Sequence, residues 1–389
     1  MSQGGREVVI AAAVRTPIGR GHPEKGMYKD SHPSHLLAAV YKEVIERAGI
    51  DPTEVGDVIG GCVAQMGEQG FNVARNAWLE AGLPLTTPAT TIDRQCGSAQ
   101  QAVNFASALI AAGIHDVAIG GGVEHMGHVP MAAQPKSEEF FGHAMTPELL
   151  DRYEIVGQGL GSEMIAEEYE VTRGECDELG LRSQQRAAAA RDAGAFDREI
   201  VPITVGAETL TQDQGIRPET TLESLASLKP AFKSDGRHTA GNSSQISDGA
   251  AAVLLMSADK AKELGVTPRA RIKDHFTVGC DPVKMLEGPI PATAAILKRN
   301  GITIDDIDRI EINEAFASVI AAWQREHDPD MDKVNVRGGA IALGHPLGSS
   351  GARLLTTLLH ELEDEDQELG FVTMCCGGGL GTATLIERV

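Results

Sequence analysis

The feature that most limits how this chain can fold is an internal repeat, because a pattern near the N-terminus returns near the C-terminus. Residues 51–59 resemble residues 304–310, and each segment predicts a helix-to-strand connection that leads into a buried strand. Later in each copy, residues 116–122 and residues 371–379 predict a strand that ends in a glycine-rich loop. A repeated β-α-β order of this kind indicates two similar α/β halves with largely buried sheets.

The repeat divides the chain into three parts. We predict an N-terminal half at residues 1–125, completed by about residues 246–270, and a C-terminal half at residues 271–389. Between them, residues 126–245 carry histidine, methionine, proline and charged residues without strand alternation. A long segment of this character predicts an inserted lid or loop domain rather than a third core.

Length, charge and cysteine content exclude several classes of protein. A chain of 389 residues is too long for one small core, so two or three structural units are expected. The net charge of −21 has the wrong sign for a nucleic-acid or anionic-membrane partner, and we expect neither. No apolar run approaches the roughly 20 residues that cross a bilayer, and residues 8–14 are too short for a signal peptide. We therefore predict a cytoplasmic protein whose six cysteines are reduced thiols.

The first reactive candidate is Cys96, in the piece Asp93–Ser98, where a predicted strand passes into a predicted helix. A thiol at a helix N-terminus lies near free N–H groups and the positive end of the helix dipole, so we expect a lowered pKa for Cys96. A cysteine before a helix, read alone, is more often structural. The small neighbours Gly97 and Ser98 leave the thiol uncrowded and favour a reactive role.

A histidine and a second cysteine lie in glycine-rich pieces near the C-terminus. His345 stands between Gly344 and Pro346, which predicts a rigidly held imidazole that activates a thiol or binds an oxyanion. Cys375 comes shortly before glycines 377–379, whose N–H groups can bind a carbonyl oxygen. No Gly-Lys-Ser/Thr follows for a phosphate site, and adjacent cysteines are not the spaced pair of a zinc site, so we predict no metal. Two thiols, an imidazole and backbone donors together predict acyl transfer through a thioester.

Six pieces of the sequence, in order along the whole chain, together resemble the thiolases (acetyl-CoA C-acyltransferases). They are Val14–Gly19, Asp93–Ser98, Thr239–Ala251, Asn313–Ala317, Gly338–Gly348 and Met374–Gly379. One such piece would be a weak signal, whereas six in order are specific. The resemblance implies an α/β fold of two βαβαβ halves in a layered αβαβα arrangement, with a loop domain over a site between the halves.

The resemblance also implies a role for each reactive residue. Cys96 would be the nucleophile that becomes acylated, and Cys375 the thiol that acts as acid and base. His345 would activate Cys96 and belong to an oxyanion hole that a water held by Asn313 completes. The backbone N–H groups of Cys96 and Gly377 would form a second oxyanion hole.

Coenzyme A is implied as a co-substrate, and we expect no permanently bound cofactor. The resemblance places Ser244, Ala315 and Phe316 at the coenzyme A site. Glu314 is expected to be a buried partner rather than a reacting group. The family resemblance further implies a homodimer or a homotetramer.

The predicted activity is thiolytic cleavage of 3-oxoacyl-CoA by coenzyme A, which gives acetyl-CoA and a shortened acyl-CoA in β-oxidation of fatty acids or related side chains. Short-chain acetoacetyl-CoA thiolases carry a His-Met-Gly run where this chain has Gly157–Glu163, which leaves more room over the acyl group. The alternatives are an acetoacetyl-CoA thiolase running condensation and a non-catalytic acyl-CoA-binding protein. A ketosynthase is disfavoured because that family uses two histidines and one cysteine, whereas Asn313 and Cys375 occupy those places here.

Overall fold

A computed structural model describes residues 5–389, and its regular elements alternate between strands and helices along most of the chain. The strands are β1 (Val8–Arg15), β2 (Gly19–Arg20), β3 (Asp57–Gly61), β4 (Ala89–Ile92), β5 (Val117–His125), β6 (Ile203–Val205), β7 (Glu208–Leu210), β8 (Ser247–Ser257), β9 (Ala270–Gly279), β10 (Arg309–Ile312), β11 (Leu369–Cys376) and β12 (Leu380–Arg388). The α-helices are α1 (Pro33–Ala48), α2 (Val73–Glu80), α3 (Ser98–Ala111), α4 (Ala133–Phe141), α5 (Pro147–Arg152), α6 (Gln158–Glu168), α7 (Arg173–Asp192), α8 (Leu222–Ala226), α9 (Ala258–Leu264), α10 (Pro289–Asn300), α11 (Ala317–His327), α12 (Ala340–Leu343) and α13 (Ser350–Asp364). Short 3-10 turns lie at Pro52–Glu54, Gly67–Gln69 and Ile304–Asp306.

The main sheet consists of two matching parts joined edge to edge. Its order is β10-β11-β12-β9-β1-β8-β5-β3-β4, and β9 meets β1 through only two residue pairs. In the N-terminal part β4, β3 and β5 are parallel, and β5, β8 and β1 are antiparallel. The C-terminal part repeats this order, with Val334 bridged to Ile310 in the place that β4 occupies. The predicted repeat is confirmed.

Helices cover both faces of the two sheet parts, and this gives the αβαβα layers that the sequence predicts. The helices α3 and α13 pack on each other in the middle, in a core to which both sheet parts contribute. The outer face of the N-terminal part is covered by α1 and α2, and that of the C-terminal part by α10 and α11.

The strand β8 illustrates why these sequences form buried strands. Its alternate residues Leu254 and Met256 join the outer core, whereas Val253 and Leu255 join the central core. A strand that is covered on both faces needs apolar residues at every position, so it reads as a continuous hydrophobic run.

The glycines at 120–122 lie inside β5, so the prediction of a glycine-rich loop at this point is wrong. A Cβ at Gly120 would lie 2.5 Å from Val103 Cα in α3, and a Cβ at Gly122 would lie 2.0 Å from Gly348 O. Glycine is needed here because a helix and a loop approach the strand backbone closely. Periodicity alone does not distinguish such a strand from a turn.

The segment between β5 and β8 contributes no strand to the main sheet as described in residues 5–389. It contains α4 to α8 and the separate β6–β7 hairpin, and its helices α6 and α7 pack on α11. The division of the chain at residues 126, 245 and 271 stays a prediction. No helix within residues 5–389 is long and apolar enough to cross a membrane.

Candidate active site

Cys96 lies in the turn between β4 and α3 and is 1% exposed. Gln95 has a left-handed φ of 49°, which turns the chain toward the helix. The Asp93 carboxylate accepts a hydrogen bond from Gln95 N at 2.6 Å, and Ser98 Oγ accepts one from Arg94 N at 2.9 Å. These bonds within the turn fix the position of the thiol at the start of α3.

Burial, rather than the helix start, decides the protonation of Cys96. Burial raises the pKa of the thiol to about 11, although the N–H groups of Gly377 and of Cys96 itself act to lower it. The prediction of a lowered pKa is wrong, because the lost hydration outweighs the helix dipole in a site this deep. At neutral pH Cys96 is a neutral thiol with two backbone donors directed at its sulfur.

The loop that carries His345 is held by the residues around the start of β8. His345 N donates to Ser247 Oγ at 3.1 Å and to Gln245 O at 3.2 Å. Gly344 has a φ of 109°, and a Cβ there would lie 2.3 Å from Ser247 Oγ. Only glycine allows this approach, so the glycine before the histidine is a packing requirement.

The hydrogen bonds of the His345 ring define its tautomer. Ser350 Oγ donates to Pro346 O at 2.8 Å and therefore accepts from His345 Nδ1 at 2.6 Å. His345 Nε2 then carries the lone pair and accepts from Asn313 Nδ2 at 3.3 Å. Burial, together with the Arg353 guanidinium, lowers the pKa of His345 to about 3, so the imidazole is neutral and Nε2 carries no proton.

Asn313 follows β10 and is fully buried beside His345. Its backbone N donates to Thr373 O at 3.1 Å, which fixes it against β11. Its side-chain Oδ1 has no hydrogen-bond partner among the described residues. A buried amide oxygen without a partner is costly unless a water or a ligand bonds to it, so this atom is suited to hold a water next to the imidazole.

Cys375 lies near the end of β11, in the apolar cluster that includes Met285, Leu286 and Phe316. Burial raises the pKa of the Cys375 thiol well above its usual value, and the Cys96 thiol is close enough to raise it further. Cys96 raises the pKa of the adjacent Cys376 thiol as well, so both Cys375 and Cys376 lie near Cys96. Two residues after Cys375, Gly377 N–H reaches the Cys96 sulfur.

The histidine loop and the cysteine turn pack against the same glycine. A Cβ at Gly61 would lie 2.5 Å from Ala99 N, at the start of α3, and 2.7 Å from Gly348 O, in the His345 loop. The sequence-predicted residues Cys96, His345, Asn313, Cys375 and Gly377 thus come from elements that meet at one place.

Ser244, Ala315 and Phe316 are brought together by backbone pairing. Ser244 N donates to Ala315 O at 2.9 Å, and Ser243 forms an isolated bridge with Phe316. The Phe316 ring meets Phe232 edge to face, with 5.6 Å between ring centroids. The three predicted coenzyme A residues therefore share one wall beside the Cys375 cluster.

Glu314 is a buried partner, as the sequence predicts. Its Oε2 accepts from Ser183 Oγ at 2.6 Å and from Ile341 N at 3.2 Å, and its Oε1 accepts from Asn335 Nδ2 at 3.0 Å. These bonds join α7, α12 and the segment after β10, and they occupy both oxygens of the carboxylate.

The inserted segment reaches the site through Gln158. Gly157 caps α6, and Gln158 Nε2 lies 3.0 Å from the position that a Cβ on Gly377 would occupy. Gln95 Oε1 lies 3.1 Å from the same position. Two amide side chains therefore border Gly377.

The sequence analysis missed three residues that hold the site: Glu124, Ser247 and Ser350. Glu124 could have been identified from the sequence, because a charged residue in an otherwise apolar buried strand needs a buried set of partners. Ser247 lies inside a recognised piece and Ser350 lies two residues after one, but serine gives no indication of which backbone atom it will bond. Within residues 5–389, no group of three or more His, Cys, Asp or Glu side chains is arranged to hold a metal ion.

Comparison with known proteins gives a consistent result along the whole chain. The N-terminal domain model of thiolases matches residues 8–259, and the C-terminal domain model matches residues 266–388. A 3-ketoacyl-CoA thiolase of Saccharophagus degradans is 46% identical, with 100% of each chain covered. A steroid 3-ketoacyl-CoA thiolase of Mycobacterium tuberculosis is 45% identical, with 98% of this chain and 94% of the relative covered.

A solved structure gives the same answer for the fold. The acetyl-CoA acetyltransferase of Bacillus anthracis matches with a TM-score of 0.92 and 41% identity, with 100% of both chains covered. The sequence resemblance, the layered fold and the family models agree, and the chain belongs to the thiolase family.

Proposed function

We propose that this acyltransferase cleaves 3-oxoacyl-CoA with coenzyme A through an acyl group on Cys96. The observation that supports this most strongly is the placement of Cys96 beside a second buried thiol, Cys375, with the N–H groups of Cys96 and Gly377 directed at its sulfur. Two thiols of opposite role are what thiolysis needs, because one carries the acyl group while the other moves protons.

In the first half-reaction, Cys96 attacks the 3-carbonyl carbon of the substrate. The thiol proton passes to His345 Nε2, which carries the lone pair, and the new oxyanion is stabilised by the N–H groups of Cys96 and Gly377. The bond between carbon 2 and carbon 3 then breaks, and its electron pair forms the enolate of acetyl-CoA. The enolate oxygen binds protonated His345 and a water on Asn313, and the Cys375 thiol protonates carbon 2.

In the second half-reaction, the Cys375 thiolate removes the proton from an incoming coenzyme A. The coenzyme A sulfur attacks the acyl-Cys96 carbonyl, again with both backbone donors on the oxyanion. Cys96 leaves as a thiolate and recovers its proton from His345. Every proton is returned, so the enzyme ends in its starting state.

The substrates that we propose are medium, long or branched 3-oxoacyl-CoA esters of β-oxidation. Gly157 and Gln158 occupy the place of a His-Met pair, and removal of a group from an apolar pocket changes preference by roughly 1–3 kcal/mol, about 10–200-fold. Relatives named for 3-ketoacyl-CoA and for steroid 3-ketoacyl-CoA support this class. The name of the Bacillus anthracis structure favours acetoacetyl-CoA chemistry as the second candidate.

A panel of 3-oxoacyl-CoA esters with coenzyme A tests the substrate class by loss of thioester absorbance. We expect higher specificity constants for long and branched esters than for acetoacetyl-CoA. The double variant Gly157→His with Gln158→Met should move the preference toward acetoacetyl-CoA. A wild-type preference for acetoacetyl-CoA would support the second candidate instead, and no turnover of any ester would support a non-catalytic binding protein.

We also propose a cytoplasmic homodimer or homotetramer. The strand β4, which leads directly to Cys96, lies at the end of the sheet and keeps Thr90 exposed. Phe71 is 96% exposed and Leu85 is 77% exposed in the nearby segments. An edge strand beside exposed large apolar side chains is normally covered by another chain.

A further inference from the structure

The His345 loop belongs to the C-terminal half, yet two side chains of the N-terminal half hold its ends. Ser247 Oγ, at the start of β8, accepts from His345 N at 3.1 Å. Glu124 Oε2, in β5, accepts from Gly348 N at 2.9 Å. The strands β5 and β8 are paired neighbours, with Glu124 opposite Gly249, so the two supports come from one rigid surface.

The Glu124 carboxylate is fully engaged by donors. Its Oε1 accepts from Gln69 Nε2 at 2.8 Å and from Ala64 N at 3.1 Å. Its Oε2 accepts from Val63 N at 2.9 Å in addition to Gly348 N. Burial raises the pKa of Glu124, and these donors oppose that rise. Because all four partners donate, the ionised carboxylate is the form that fits.

Packing around Glu124 leaves no room for the loop to shift. A Cβ at Gly348 would lie 2.4 Å from Val123 O and 2.7 Å from Glu124 Oε2. A Cβ at Gly122 would lie 2.0 Å from Gly348 O. Any movement of Gly348 therefore has to break its bond to Glu124 or move β5.

We propose that Glu124 is a positioning residue that fixes the His345 loop of one half against the Cys96 turn of the other, with Ser247 as the second point of attachment. Glu124 touches no reacting atom in this account and positions His345 through the loop; its charge separately acts to raise the pKa of the Cys96 thiol. The inference rests on the proposed function, because it assumes that His345 takes the thiol proton. A displacement of catalytic groups by about 1 Å can cost roughly 100-fold in rate.

The decisive test is a double-mutant cycle of Glu124→Gln and His345→Ala, measured as kcat and KM for thiolysis. The NH₂ group of the introduced glutamine would face two of the four donors. The side-chain amide of Gln69 cannot easily flip to compensate, because it also bonds to Ala64 O and His125 N. In the wild-type background we expect kcat to fall by roughly 10–100-fold while KM changes little. In the His345→Ala background we expect no further loss, because the group that Glu124 positions has gone.

Asp274→Asn is the matched control. Asp274 on β9 also accepts four hydrogen bonds, from His275 N, from Asn300 Nδ2 and from two nitrogens of Arg299. Asp274 lies away from the candidate site, so the kcat of the Asp274→Asn variant should equal that of the wild type.

The outcomes separate the inference from the proposed function. Equal losses from Glu124→Gln in both backgrounds would overturn the inference, because the residue would then act independently of His345. Full activity of His345→Ala would instead overturn the proposed role of His345. If Glu124→Gln does not fold, the milder Ser247→Ala is used in the same cycle, and additive losses from that variant would also contradict the two-point attachment.

Discussion

At the scale of single residues, Cys96 and His345 are both neutral in the resting site. Burial raises the pKa of Cys96 to about 11 and, with Arg353, lowers that of His345 to about 3. A thiolate–imidazolium pair is therefore not the starting state. In the proposed mechanism the proton moves from Cys96 to His345 as the substrate carbonyl is attacked, when the backbone N–H groups gain a charge to stabilise.

The raised pKa of Cys96 predicts the pH dependence of its alkylation. The thiolate is the reactive form, and a raised pKa means that little thiolate is present at neutral pH. The alkylation rate with iodoacetamide should rise with pH toward a midpoint near 11, compared with about 8.5 for a free cysteine. Peptide mass spectrometry separates Cys96 from the other thiols. An alkylation rate of Cys96 that reaches its plateau below pH 8 would contradict a neutral Cys96 thiol.

Adjacent serines offer a matched test of His345 orientation. Ser350 Oγ accepts from His345 Nδ1, whereas Ser349 Oγ bonds only to Pro346 O at 3.3 Å. Ser350→Ala removes the bond that sets the tautomer, and we expect kcat to fall roughly 5-fold or more, the worth of about 1 kcal/mol, at unchanged KM. Ser349→Ala should leave kcat unchanged. Equal kcat values for the two variants would show that the Ser350 bond does not orient the ring.

Residue types in the reactive pieces could be predicted from sequence, but their environment could not. Cys96, His345 and Cys375 are identifiable because glycines flank them and their chemistry is distinctive. The pKa of Cys96 depends on burial by segments far away in the chain, and no local pattern reports that. Glu124 bonds to Val63 and to Gly348, which are 61 and 224 residues away.

At the scale of elements, a glycine turn follows β11 directly after Gly377. Gly378 and Gly379 have φ values of 79° and 75°, in the left-handed region. Gly379 O also accepts from Cys280 N at 2.7 Å, which fixes the end of the turn. The course of the chain after Gly377 therefore depends on two consecutive left-handed residues.

The two turn glycines differ in their surroundings and can be compared directly. A Cβ at Gly378 meets no atom within 4 Å, whereas a Cβ at Gly379 would lie 2.7 Å from Cys280 O. Gly378→Ala should cost about 1–2 kcal/mol of stability from backbone strain alone. Gly379→Ala should cost about 1–3 kcal/mol more from the added clash. Thermal unfolding of both variants measures the difference, and equal midpoints would show that the clash is relieved by movement of the loop.

The order of elements followed from the sequence because strands and helices alternate with clear patterns in both halves. The turn at Cys96 and the helix after it are correctly predicted. The glycines of β5 are predicted to form a loop because glycine weakens the interior of a strand. Glycine is required in β5 because α3 and Gly348 approach the strand closely, and such a tertiary contact is not visible in the sequence.

At the scale of the whole molecule, the site exists only where the two halves meet. Cys96 comes from the N-terminal half, whereas Asn313, His345 and Cys375 come from the C-terminal half. The internal repeat explains this arrangement, because two copies of one plan present the ends of their strands and helices to a common space.

The proposed self-association would cover the exposed edge of the sheet at β4. We expect light scattering at micromolar concentration to give a mass of at least twice the 41.1 kDa of one chain. Phe71→Asp combined with Leu85→Asp should weaken the association if this face forms the contact. A monomeric wild type would contradict the proposed assembly, and an unchanged mass of the double variant would place the contact elsewhere.

The central claim is that Cys96 carries the acyl group, and one measurement tests it directly. The protein is mixed with a 3-oxoacyl-CoA ester in the absence of free coenzyme A, quenched in acid and digested for peptide mass spectrometry. We expect one acyl group per chain on the Cys96 peptide, release of a matching amount of acetyl-CoA, and neither product with Cys96→Ser. An acyl group on Cys375 or Cys376 with Cys96 unmodified would show that Cys96 is not the nucleophile.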